Sequence, residues 1–269
     1  MPKVLAKADS LNELNAQYVQ VPLRQPIFLN SVPKSGTHLI RNIMRMFVPV
    51  EQQYQQSFIQ HPNLREHQVA FSQAMPHLSW GHLLFSDDAA IVLRDTRHIL
   101  LVRDPYNWVL ARARFFLSDN FQGALEHLKG GHVSLEELLN MMIFGIHQKV
   151  PTLAEIFTHN AVSWLGTDAR LVHFENLLTN VKNVDSDNAE VFFSGLLADC
   201  GISELPSDWR ERVRIGSDRE QSGTARENLT KGGALEIPDE LPDAQKKLVD
   251  FAVPGLREVL GYSSDRKAD

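Results

Sequence analysis

Short apolar runs and helical spacings alternate along this chain. Residues 27–29 are continuously apolar, and the apolar residues between 39 and 47 then recur at helical spacing. Residues 98–102, HILLV, form a second and near-continuous apolar run, again followed by helical spacing between 108 and 116. Continuous apolar runs are typical of strands buried on both faces. Two such strand-loop-helix units predict an α/β fold around a parallel sheet.

The middle of the chain is mainly helical in pattern. Ser134 and Glu137 form a capping-box signature before an apolar run at helical spacing, and Pro151 is expected to open another helix. Methionines and aromatics at this spacing indicate core packing. Residues 170–178, RLVHFENLL, are then expected to form another buried strand.

The turn between the first strand and its helix has the composition of an anion site. Residues 33–37 read Pro-Lys-Ser-Gly-Thr. They offer the ammonium of Lys34, two hydroxyls, and free N–H groups at a helix start. Gly36 lets the backbone approach an anion closely. Lys34 precedes the only glycine, unlike the order G-x-x-x-x-G-K-[ST] of nucleotide-triphosphate loops. An ordinary turn with a solvated lysine is the alternative.

The second strand ends at a residue suited to phosphate. Arg103 follows the run 98–102 and precedes Asp104 and Pro105, and a proline is tolerated in a first helical turn. Arg103 is expected at the carboxyl edge of the sheet, where open α/β sheets bind ligands. Its forked, permanently charged side chain suits a phosphate monoester. The alternative is a surface arginine paired with Asp104.

These two segments resemble motifs of sulfotransferases that use 3′-phosphoadenosine 5′-phosphosulfate (PAPS). Pro-Lys-Ser-Gly-Thr resembles their 5′-phosphosulfate loop, and LLVRDPYNWVLA resembles their 3′-phosphate motif. Two matches in the right order are more specific than either alone. The resemblance runs from about Ile27 to Tyr262. It implies a three-layer α/β/α fold with a central parallel sheet, related to P-loop NTPases. We expect residues 1–24 to be an N-terminal extension and residues 25–269 a single sulfotransferase domain.

The resemblance implies a set of donor-binding residues. For the 5′ end of PAPS they are Lys34, Ser35, Gly36, Thr37 and His38, including the backbone N–H groups of residues 35–37. Lys34 would also be catalytic, neutralising charge on the leaving phosphate. Arg103 would bind the 3′-phosphate. In the C-terminal third, Arg226 and Lys231 are the nearest equivalents of a mobile Arg-Lys-Gly loop that folds over the nucleotide.

The segment SWGHLLF contains the candidate base. It resembles the region in which a Gly-His pair supplies the catalytic histidine of bacterial sulfotransferases, and the pair corresponds to Gly81 and His82. An acceptor hydroxyl must lose its proton as it attacks sulfur, and imidazole titrates near neutrality. The chain has 11 histidines, most of which are expected to be structural. His77 is the competing candidate.

The sequence departs from the family pattern at several positions. Ala111 stands where the family has a serine that donates to the 3′-phosphate; Arg112 or Arg114 are candidate substitutes. Leu39 stands where many members have a tryptophan beside the adenine. Phe174 departs from a Tyr-Glu-Asp-Leu segment, and the C-terminal Gly-Asp-Trp is missing. The contacts to adenine and 3′-phosphate are therefore left open.

Composition narrows the class of protein. A net charge of −6 argues against a nucleic-acid binder, whose surface would be basic. The single cysteine, Cys200, excludes an intrachain disulfide and a cysteine-rich zinc site and is expected to be a buried structural thiol. The first 17 residues lack a signal-peptide core, and no run approaches about 18 apolar residues, so we expect a cytoplasmic protein without a transmembrane segment.

The sequence therefore predicts a PAPS-dependent sulfotransferase. It would transfer the sulfuryl group to a hydroxyl or amine of a small-molecule, lipid or glycan acceptor, and the sequence does not select among them. A sulfuryl group carries less charge than a terminal phosphoryl group, so no metal is expected. The alternatives are a non-catalytic PAPS-binding or adenosine 3′,5′-bisphosphate (PAP)-binding homologue, a P-loop small-molecule kinase, and sulfonation followed by elimination. The oligomeric state is left open.

Overall fold

The computed structural model describes residues 9–56, 58–118, 125–221 and 235–262. The strands of these segments are β1 (Ile27–Ser31), β2 (Ile59–Gln60), β3 (Leu78–His82), β4 (Arg97–Val102) and β5 (Arg170–His173). The helices are α1 (Leu11–Asn15), α2 (Thr37–Arg45), α3 (Asp87–Leu93), α4 (Pro105–Leu117), α5 (Leu135–Phe144), α6 (Leu153–Asn160), α7 (Phe174–Lys182), α8 (Asp187–Asp199), α9 (Trp209–Ser217), α10 (Asp243–Ala252) and α11 (Leu256–Val259). Within these residues, no helix is long and apolar enough to cross a membrane.

The five strands form one parallel sheet in the order β2-β3-β1-β4-β5. The central strand β1 pairs with β3 on one side and β4 on the other. From β1 the chain runs to the edge strand β2, returns to β3 beside β1, and then crosses β1 to form β4 and β5 on the other side. The carboxyl end of β1 is therefore the switch point at which open α/β sheets bind ligands. The predicted α/β class with a parallel sheet and flanking helices is confirmed.

Helices α2, α7, α8 and α9 cover one face of the sheet. Ile27 and Leu29 of β1 pack there with Ile43 of α2 and Phe193 of α8, all at most 1% exposed. Phe28, which lies between Ile27 and Leu29 in the strand, faces the other side of the sheet, as strand geometry requires. On that second face Phe28 lies against Phe71 at a ring-centre distance of 5.4 Å.

The described residues form two compact units. The sheet unit comprises residues 9–56, 58–102 and 159–221 and contains all five strands. The helical unit comprises residues 103–118, 125–158 and 235–262 and contains α4, α5, α10 and α11. Helix α6 begins in the helical unit.

Arginines bind the helical unit together. The side chain of Arg112 donates to the carbonyls of Met142 (2.8 Å) and Pro151 (2.7 Å). These bonds link α4 to the end of α5 and to the segment just before α6. Arg114 donates to the carbonyl of Pro238 at 2.7 Å. Each of these charge-assisted bonds satisfies a backbone acceptor in the last turn of α5 or in a connecting segment.

Several local predictions agree with the structure. The apolar runs at residues 27 and 98 lie in β1 and β4, and Ser134 caps α5 with Glu137 in a capping box. Cys200 is 2% exposed, and burial raises the pKa of its thiol. The strand predicted over residues 170–178 was too long, since β5 ends at His173 and α7 begins at Phe174.

Candidate active site

The loop between β1 and α2 lies at the switch point of the sheet. Two of its residues have left-handed backbone: Lys34 at φ 69° and Gly36 at φ 96°. This conformation is natural for glycine but costly for lysine. Strained residues of this kind concentrate at ligand sites, where the surrounding structure enforces them.

Gly36 is required by its surroundings as well as by its φ. A Cβ built on it would lie 2.4 Å from the ring of Phe174, at the start of α7. No side chain fits there unless the ring moves. The sequence showed Phe174 only as a departure from the family pattern; its place against the loop was not predicted.

Ser35 and the start of α2 offer donors to a ligand. The Ser35 side chain is fully buried, and its Oγ makes no hydrogen bond to the described part of the chain. Buried polar atoms are normally satisfied, so this hydroxyl marks a position suited to a ligand oxygen. The Ser35 N–H, expected to face the ligand, instead donates to the Val32 carbonyl at 3.1 Å. Helix α2 begins at Thr37, and the first N–H groups of a helix lack intrahelical acceptors.

His82 ends β3, and its imidazole is hydrogen-bonded to the end of β1. Its Nδ1 lies 2.8 Å from the Ser31 carbonyl oxygen and 3.0 Å from Ser31 Oγ. The carbonyl can only accept, so Nδ1 carries the proton and Nε2 is left as a proton acceptor. Ser31 Oγ is also 2.6 Å from Thr37 Oγ1. The candidate base is thus joined to the loop by two short contacts.

The pKa of His82 favours the neutral imidazole. The pKa of His82 is lowered to about 4, mainly by burial and also by the positive charge of Lys34, while hydrogen bonds to the backbone of Ser31 and Gly81 act in the opposite direction. His82 is therefore neutral at pH 7. A neutral imidazole with an unprotonated Nε2 has the protonation state that a general base needs.

A layer of contacts fixes the backbone on either side of His82. Asn30 of β1, 1% exposed, accepts from the Leu83 N–H at 2.9 Å and donates to its carbonyl at 3.2 Å. The Trp164 indole donates to the same carbonyl at 3.2 Å. At Gly81, a Cβ would lie 1.9 Å from the carbonyl oxygen of Ile59 in β2. The glycine before the candidate base is therefore a packing requirement of the sheet.

His77 lies at the opposite edge of the sheet. It precedes the first residue of β3, and its carbonyl accepts from the N–H of Ile27, the first residue of β1. His82 ends the same strand. Only His82 shares the carboxyl edge with the loop after β1.

An aromatic and basic cluster continues from His82 along the face covered by α2. The Phe58 ring lies 4.7 Å from that of His82 and 5.0 Å from that of Trp80. His38 contacts the edge of Trp80 at 5.3 Å, and the Arg41 guanidinium lies 4.4 Å from the Trp80 ring centre. Sequence reasoning named only His38 and His82 of this group. Trp80, an aromatic residue two positions before the candidate base, was the feature of the sequence that could have indicated this cluster.

The second phosphate motif is in the helical unit. Arg103 is partly exposed and directly precedes Asp104, the N-cap of α4, whose carboxylate accepts from the Tyr106 N–H and from Arg257 at 2.9 Å each. Arg112 and Arg114, considered as substitutes for the missing serine at Ala111, are committed to backbone carbonyls of their own unit.

Some predicted site residues are outside the structure. Arg226 and Lys231 lie outside the described residues. Across the described segments, no three His, Cys, Asp or Glu side chains are grouped as metal ligands would be.

Comparison with known proteins supports the fold. No protein-family model and no curated protein sequence matches the chain. Among solved structures, the mouse sulfotransferase SULT7A1 complexed with PAP matches with a TM-score of 0.58 and 12% sequence identity. The match covers 94% of this chain and 90% of the mouse chain. At this identity the likeness shows the fold alone: this chain has the α/β fold of a sulfotransferase.

Proposed function

We propose that this chain is a PAPS-dependent sulfotransferase that acts on a hydroxyl or amine of a small-molecule, lipid or glycan acceptor in the cytoplasm. The observation that carries the proposal is the hydrogen-bonded series His82–Ser31–Thr37. It joins a neutral imidazole to a loop whose composition and backbone suit an anion. A donor held by the loop would place its reacting group beside a base.

The loop residues support binding of the 5′-phosphosulfate. The N–H groups at the start of α2 and the Thr37 hydroxyl would donate to the phosphate, and His38 would add a further donor. The orphaned Oγ of buried Ser35 fits a ligand oxygen. Lys34 supplies the charge.

The rest of the donor would use residues of both sequence motifs. Arg103 would bind the 3′-phosphate, with Arg226 and Lys231 closing over the nucleotide as the resemblance implies. Leu39 is aliphatic, whereas the ring of Phe174 lies against the loop glycine. Phe174 is therefore our candidate for the aromatic surface beside the adenine.

The reaction follows from these positions. The acceptor oxygen attacks sulfur in line and gives its proton to His82 Nε2. The bond from sulfur to the 5′-phosphate oxygen breaks, and PAP leaves with the electron pair. Lys34 stabilises the charge that grows on that oxygen. An anionic donor next to Lys34 raises the pKa of His82 from its low value and makes the imidazole a stronger base.

Calorimetric titration with PAP tests the donor site. We expect micromolar binding by the unmodified protein and weaker binding by Lys34→Ala and by Arg103→Ala. Arg94→Ala, at an exposed arginine, is the control and should bind as the unmodified protein does. A folded protein that does not bind PAP would rule out the sulfotransferase assignment.

A screen of acceptors with labelled PAPS then tests the reaction. Binding of PAP without turnover on any acceptor would favour a non-catalytic homologue. A product mass lower by one water than the acceptor would indicate sulfonation followed by elimination. Magnesium-dependent use of ATP would favour a kinase.

A further inference from the structure

Arg41 of α2 is a cation with no hydrogen-bonded carboxylate among the described residues. Its guanidinium stacks on Trp80 at 4.4 Å and makes no hydrogen bond or ion pair to any described residue. Burial lowers the pKa of Arg41 to about 10, and repulsion from Arg45 acts in the same direction. A charge held out of water without a partner is costly, and an anionic ligand would remove that cost.

The neighbouring carboxylate is already in use. The charge of Asp9 reaches Arg41, but its two oxygens accept from Arg45 at 2.9 and 3.0 Å. Residues 1–8, which precede it, contain no aspartate or glutamate. Asp9 is therefore the carboxylate nearest to two arginines of one helix, and it is hydrogen-bonded to Arg45.

Arg41 is connected to the candidate base by an aromatic surface. Trp80 and His82 are alternate residues of β3, so their side chains leave the same face about 7 Å apart. Phe58 contacts both rings, at 5.0 and 4.7 Å. Arg41, Trp80, Phe58 and His82 are largely buried but each keeps some exposure to solvent. The path from the guanidinium to the imidazole is about 11 Å, the strand repeat of about 7 Å plus the stacking distance of 4.4 Å.

We propose that Arg41 binds a carboxylate of the acceptor, and that the substrate class is hydroxy acids with an aromatic or apolar middle. The inference rests on the proposed function. The hydroxyl lies at His82, the middle of the molecule packs on Phe58 and Trp80, and the carboxylate takes the free fork of Arg41. Guanidinium and carboxylate form paired, charge-assisted hydrogen bonds.

Matched acids and amides test this subsite. The titrants are 4-hydroxybenzoate, 3-(4-hydroxyphenyl)propanoate and 5-(4-hydroxyphenyl)pentanoate, each beside its uncharged carboxamide, added to PAP-saturated protein in a calorimeter. At least one acid is expected to bind about 10- to 100-fold more tightly than its amide, the range for hydrogen bonds between charged groups. The preference should vanish in Arg41→Gln, return in part in Arg41→Lys, and be unchanged in Arg94→Gln at an exposed arginine.

Several results would overturn the inference. They are equal affinity of acid and amide at every length, no binding of any acid, and a preference that survives Arg41→Gln. Loss of PAP binding in Arg41→Gln, with thermal unfolding unchanged, would assign Arg41 to the donor and also overturn it. If the unmodified protein fails to bind PAP, the proposed function fails. In that case, titration of the acids and amides without PAP still measures whether Arg41 binds a carboxylate.

Discussion

Lys34 combines the charge that the proposed chemistry needs with a backbone conformation that glycine adopts more easily. Its φ is 69°. The left-handed conformation costs a non-glycine residue about 1–2 kcal/mol, and glycine gives back about 0.5–1 kcal/mol through its freedom in the unfolded chain. A protein with glycine at position 34 should therefore be about 0.5–1 kcal/mol more stable than one with alanine. In a domain of this size that is about 1–4 °C in Tm.

The assay compares Lys34→Gly with Lys34→Ala by scanning calorimetry. Both variants lose the ammonium and every contact beyond Cβ, so their difference isolates the backbone. Both should bind PAP more weakly and transfer sulfuryl about 10²–10³-fold more slowly, the scale for one preorganised stabilising group. Gln148, with φ 57° in an exposed turn, is the matched control. Gln148→Gly should likewise be more stable than Gln148→Ala, with PAP binding unchanged.

Two results would refute this reasoning. If glycine and alanine at position 34 give the same Tm while the Gln148 pair differs, the loop is not strained at Lys34. If Lys34→Gly binds PAP with full affinity, Lys34 does not hold the donor.

Three further predictions concern the sheet unit. Burial lowers the pKa of His82 to about 4 and of His98 to about 3. The unfolded chain binds these protons at higher pH, so stability should be full above about pH 6.5 and fall as the pH drops toward 4, by up to about 1.4 kcal/mol per pH unit for each histidine. Urea unfolding at pH 7, 6 and 5 measures this slope, and His98→Leu should make it shallower. Asn30→Ala should slow transfer about 10- to 100-fold in steady-state assays with PAP affinity unchanged, because it frees the backbone after His82. Asn15→Ala, at another buried asparagine, should lower Tm but not the rate. Gly81→Ala should lower Tm by more than either asparagine variant, because its Cβ would lie 1.9 Å from a carbonyl of β2.

Each of these predictions has a contrary outcome. A urea midpoint that stays constant from pH 7 to 5 would mean that the two histidines are not buried as neutral groups. Equal rate losses in Asn30→Ala and Asn15→Ala would show that Asn30 affects the rate only through the stability of the fold. A Gly81→Ala protein with unchanged Tm would show that β2 can move away from β3.

Local signals predicted local structure well where one pattern dominated. The apolar runs of β1 and β4 and the capping box at Ser134 needed only neighbouring residues. The error at residues 170–178 has a physical cause. Phe174, Leu177 and Val181 are apolar at helical spacing directly after a short strand, and a short segment of mixed apolar and polar residues does not by itself show where a strand ends and a helix begins. The helix expected at Pro151 begins at Leu153, where the Thr152 hydroxyl accepts from the Glu155 N–H at 3.0 Å.

Residues 27–47 were enough to predict the strand-loop-helix unit around Lys34 and Gly36, because composition and spacing over a few residues decide a turn and a helix start. The sequence also named His82, through a resemblance, with His77 as competitor. The pairing of β3 with β1 could not be predicted in this way. It brings His82 to Ser31 across 51 residues of chain and leaves His77 at the opposite edge of the sheet. The structure also shows that Arg112 donates to backbone carbonyls and that Arg41 stacks on Trp80. Parallel pairing and the partner of a long charged side chain depend on residues far apart in sequence, and no local pattern encodes them.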